Sequence, residues 1–73
     1  MLVSEAQPIV YQILMDTQNR MNTQNLNDIG VLTLWQQRMA YLKDVLSLLN
    51  AMRPNDTIPE SQIYSFNATV NSW

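Results

Sequence analysis

The sequence predicts an all-α protein of three helices, a helical hairpin followed by a short C-terminal helix. Three observations predict it. Apolar residues recur at helical spacing in three stretches, a polar run at 19–27 separates the first two, and Arg53-Pro54-Asn55-Asp56 separates the last two. At 73 residues the chain is one domain at most. A domain of that size buries only about 60% of its unfolded surface. Ordering it costs on the order of 100 kcal/mol, which apolar burial barely matches, so the isolated chain is expected to be marginally stable.

The first helix is expected over about residues 5–22. Ser4 followed by Gln7 has the spacing of a capping box, and Pro8 is tolerated only near a helix start, so the helix should begin between Ser4 and Pro8. Val10, Ile13, Leu14, Thr17 and Met21 form its stripe. The polar residues from Asn19 to Asn27 compete with the helical backbone, so a loop should follow Met21.

The second helix is expected over about 28–52, capped by Asn27 or Asp28, tolerant of Gly30 in its first turn and stopped by Pro54. It carries two heptad seams. One runs through Leu32, Trp35, Met39, Leu42, Leu46 and Leu49; the other runs through Val31, Leu34, Arg38, Tyr41, Val45, Leu48 and Met52. Together they exceed the stripe of about 100° that one core contact needs. Either the flanking helices take one seam each and close a three-helix bundle, or part of a seam is covered by another chain. The flanking helices are shorter and carry thinner stripes, which favours the second account and an expected place within a larger helical assembly.

The third helix is expected over about 58–71. Thr57 and Glu60 have capping-box spacing around Pro59, and Ile63, Phe66, Val70 and Trp73 make one stripe. Trp73 should either pack back onto the bundle or dock into a neighbour, because an aromatic side chain on a frayed end is otherwise exposed.

Composition narrows the function classes. With no Cys and no His, structural zinc, thiolate nucleophiles and the commonest general base are excluded, and the acidic residues lie apart without paired spacing. No enzyme, catalytic residue, metal site, cofactor or small-molecule substrate is expected. Four basic residues, Arg20, Arg38, Lys43 and Arg53, are spread singly through a chain of net charge −2, so nucleic acid is not an expected partner. Charged residues are 14% of the chain against about 25% in ordinary domains, with Asn and Gln filling the polar positions. Such a surface repels its own copies weakly. No stretch is long and apolar enough for a membrane span, and Glu5 with no basic region before it argues against a signal peptide. The sequence reads as a soluble product, intracellular or part of a particle, its compartment otherwise unknown.

The expected function is that of a small helical structural or adaptor subunit, its partners being other protein chains, self or hetero. Minor virion or secretion-machine components are analogous in size and low charge. The alternative is a regulatory binding module or co-chaperone that masks a partner's helix. The expected interface is the second seam, Val31, Leu34, Arg38, Tyr41, Val45, Leu48 and Met52, together with Trp73. Arg38 within that seam is costly to bury unless it is paired or its head reaches water.

Overall fold

A computed structural model describes residues 1–73 as three α-helices, α1 (Val3–Asn22), α2 (Ile29–Ala51) and α3 (Glu60–Asn71). The chain is all-α, and no helix is long and apolar enough to cross a membrane. The helices form an elongated slab with principal extents of 43 × 21 × 15 Å. Its radius of gyration is 13.4 Å, against about 11 Å for a compact domain of this length.

α1 is the central element. It packs against both α2 and α3, whereas no Cα of α2 comes within 8 Å of one in α3. The residue types explain this arrangement. α1 presents Val3, Ala6, Val10 and Thr17 along one stripe, all with 1% exposure or less, and such short side chains let neighbouring backbones approach. Thr17 satisfies its buried hydroxyl by donating to the Ile13 carbonyl at 2.7 Å. α2 and α3 meet through larger groups, Tyr41 against Phe66 and Trp73, which hold their axes apart. Met39, Leu42, Leu49, Ile63, Phe66 and Val70 complete the core cluster around α1.

Two helix starts differ from the sequence expectation, for one shared reason. α1 begins at Val3 rather than between Ser4 and Pro8, and its N-cap, Leu2, makes no side-chain capping bond. α3 begins at Glu60, after Pro59 as N-cap and again without a side-chain bond, so the box expected from Thr57 and Glu60 does not form. Leu2 instead pairs with Thr57 in an isolated antiparallel bridge. The Met1 amino group donates to the Ile58 carbonyl at 3.0 Å, and the Ile58 amide donates back to the Met1 carbonyl at 2.9 Å. The first free amides of α1, those of Val3 and Ser4, donate to the carbonyls of Asp56 and Pro54 at 2.8 and 3.1 Å. The orphan donors at the start of α1 are thus satisfied by the α2–α3 connection, so no side-chain cap is required there, and the same pairing engages the backbone around Thr57 that the expected box would have used. Ile58 precedes a proline, which itself favours the extended backbone that the bridge uses.

The side chains assigned to those boxes serve other ends. Gln7 reaches across to the C-terminus of α2, donating to the Leu49 carbonyl at 3.3 Å. Pro8 lies inside α1, on the solvent side together with Ser4. The carbonyl that its ring deprives of an amide is Ser4's, where water can replace the missing donor. α2 starts with a side-chain cap: Asp28 Oδ1 accepts from the amides of Gly30 and Val31 at 2.9 and 3.4 Å.

Candidate protein-binding surface

Burial divides the two seams of α2. In the first seam Trp35, Met39, Leu42 and Leu49 are buried and Leu32 and Leu46 are half-buried. In the second seam no residue is buried. Val31, Arg38, Val45 and Met52 are half-buried, while Leu34, Tyr41 and Leu48 are 45%, 43% and 68% exposed. The three exposed residues are spaced seven apart, close to two helical turns, so they form one line along α2.

Between that line and α3 lies an apolar groove of about 360 Å³. Val45, Leu48, Leu49 and Met52 form its α2 wall; Ile58, Ile63 and Phe66 form the other, with Gln62 as the one polar contributor. The groove exists because α2 and α3 are bridged by rings rather than by close backbone packing. Tyr41 meets Phe66 at 6.0 Å between ring centroids, tilted at 43°, and meets Trp73 edge-on at 6.0 Å and 70°. Beyond Tyr41, toward the C-terminus of α2, no comparable pair fills the gap. The α3 wall of this groove is not apparent from the seam pattern, which orders residues on one helix and is silent on the distance to the next.

Trp73 is half-buried and packs back onto the bundle. Arg20 of α1 holds the end of α3 in place by donating to the main-chain oxygens of Val70, at 3.1 Å, and Trp73. A cation beside the carbonyl end of a helix also matches its dipole. Arg38 lies over two indoles, its guanidinium carbon 4.8 Å from the Trp35 centroid and 5.5 Å from that of Trp73. The site residues expected from sequence therefore fall into three groups. Arg38, Tyr41 and Trp73 form an aromatic–cation cluster at the middle of α2, whereas Leu48 and Met52 with Val45 line the groove; Val31 and Leu34 lie N-terminal to both.

A second concavity, of about 570 Å³, lies on the other side of α3, where Ile9, Ile13 and Pro8 of α1 face Ile63 and Tyr64. Ile9 and Tyr64 are exposed there. No group of three or more acidic side chains is placed to hold a metal ion. Comparison with protein families, with curated proteins and with solved structures finds no match.

Proposed function

We propose that this chain is a small helical structural or adaptor subunit that acts by packing against other protein chains, its own copies first among them. The α2–α3 groove with the exposed Leu34–Tyr41–Leu48 line is the surface that serves it. One observation carries the reading: the α2 and α3 backbones stay apart and leave a groove lined by seven apolar residues and one polar residue. An apolar groove bordered by a helix is the form that accepts the apolar face of another helix. The total accessible surface, 4867 Å², is close to the roughly 4,700 Å² expected of a monomer of this mass. The chain is therefore not short of folded area; among its exposed apolar side chains, Leu34, Tyr41 and Leu48 form one continuous line beside the groove, and a contiguous apolar patch is what marks an interaction surface. Copies of the chain are favoured as partners because a net charge of −2 opposes their approach only weakly.

The test is the thermal midpoint of the pure chain across a hundredfold range of concentration, with its mass by light scattering. Association stabilises by mass action, so the midpoint should rise with concentration and the mass should exceed one chain. A constant midpoint at monomer mass would overturn the reading.

A further inference from the structure

Arg20 and Arg38 converge on one indole. Their guanidinium carbons lie 5.6 and 4.8 Å from the centroid of Trp35, so the two cations are within about 10 Å of one another. Trp35 is only 5% exposed and belongs to the interior, so both cations rest on a fixed platform. At that separation salt screens their repulsion only in part. The two differ in how their donors are used. Arg20 spends donors on the Val70 carbonyl and a main-chain oxygen of Trp73, whereas Arg38 lies over the rings of Trp35 and Trp73 and makes no hydrogen bond. A guanidinium held by π-electron contact keeps its N–H donors for an oxygen acceptor.

We infer that Arg38, fixed by Trp35 and Trp73, is a carboxylate-binding site. A guanidinium fork matches a carboxylate through two parallel hydrogen bonds, and holding the fork in place beforehand reduces the rotamer freedom lost on binding. A single free fork suits one negative charge, whereas a phosphate dianion calls for further free cations; Arg20 is engaged with main-chain oxygens, and Lys43 and Arg53 are absent from the cluster. The carboxylate is either an acidic side chain of a partner chain or a free small acid; the recognising chemistry is the same. The inference does not depend on the packing proposal, since a monomeric chain would retain the site.

The experiment is a nuclear magnetic resonance titration of the full chain, following the Arg38 Nε–H and the Trp35 and Trp73 indole signals. Sodium acetate is added against sodium chloride at matched ionic strength. A parallel arm uses a capped peptide with one glutamate and its glutamine counterpart. Acetate should produce saturable shifts at Arg38 and both indoles and none that saturate at Arg53. Arg38→Lys, which keeps the charge but loses the fork, should weaken binding about tenfold. Tighter binding of the glutamate peptide than of acetate assigns the site to a protein side chain, and equal affinity assigns it to a free acid; either supports the inference. Non-saturating, parallel shifts at Arg38 and Arg53, or unchanged affinity in Arg38→Lys, would overturn it.

Discussion

The two sides of α2 have nearly the same apolar content and different fates. The side toward α1 meets a helix of 20 residues whose Ala6 and Val10 allow close approach, so Met39, Leu42 and Leu49 are enclosed. The side toward α3 meets a helix of 12 residues held off by Tyr41, Phe66 and Trp73, so Leu34 and Leu48 keep much of their surface. The difference teaches that apolar patterning sets which face of a helix needs a neighbour, while the bulk and length of the neighbour set whether that need is met within the chain. The proposed function lives in that shortfall.

The largest effect expected from breaking the comparison is at Leu42, which has no exposed surface. Leu42→Ala should cost roughly 2 to 5 kcal/mol in denaturant unfolding, enough to unfold a marginal domain, because the slab cannot collapse around the cavity. The half-buried Leu46 should lose distinctly less on the same substitution. On the other side Tyr41→Ala should also destabilise, by about 1 kcal/mol or more, since the ring holds Phe66 and Trp73 and an aromatic pair contributes about that much beyond its area. Loss of Tyr41 would perturb both fold and surface, so Leu48, at 68% exposure, is the residue that separates them.

Helix caps sharpen the comparison at smaller scale. Asp28→Ala should destabilise by about 1 kcal/mol, because its carboxylate accepts from two orphan amides of α2. The double substitution of Thr57 and Glu60 by alanine should change stability by less than about 0.5 kcal/mol, since neither side chain caps α3 in the structure. Thermal unfolding of the two variants side by side distinguishes them, and equal losses would restore the capping box at Thr57.

Much of the fold was legible because it rests on interactions local in sequence. The heptad spacing of Leu32 through Leu49, the Asp28 cap and the stop before Pro54 are each decided within a few residues. The missed features depend on residues far apart in sequence. Nothing near Ser4 reveals that its amide will find the Pro54 carbonyl, nor that Gln7 will serve α2 rather than its own helix. Both helix-start expectations failed at this bridge, where a tertiary backbone pairing displaced a local side-chain motif. The candidate surface was half legible. Its α2 residues follow from the seam, but the groove requires knowing that α3 stands off, and the Arg38 cluster requires Trp73 to fold back and Arg20 to hold it there.

The central claim, that the α3 side of α2 is completed by other chains, is tested most directly by sedimentation of the wild type and Leu48→Ala over the same concentration range, with helicity by circular dichroism as the control. The account predicts a wild type that associates with rising concentration and a Leu48→Ala variant of undiminished helicity that stays monomeric, its association weakened at least tenfold by loss of about 1.4 kcal/mol or more at the contact. A wild type that sediments as a monomer throughout, or a Leu48→Ala variant that associates as well as the wild type, would contradict it.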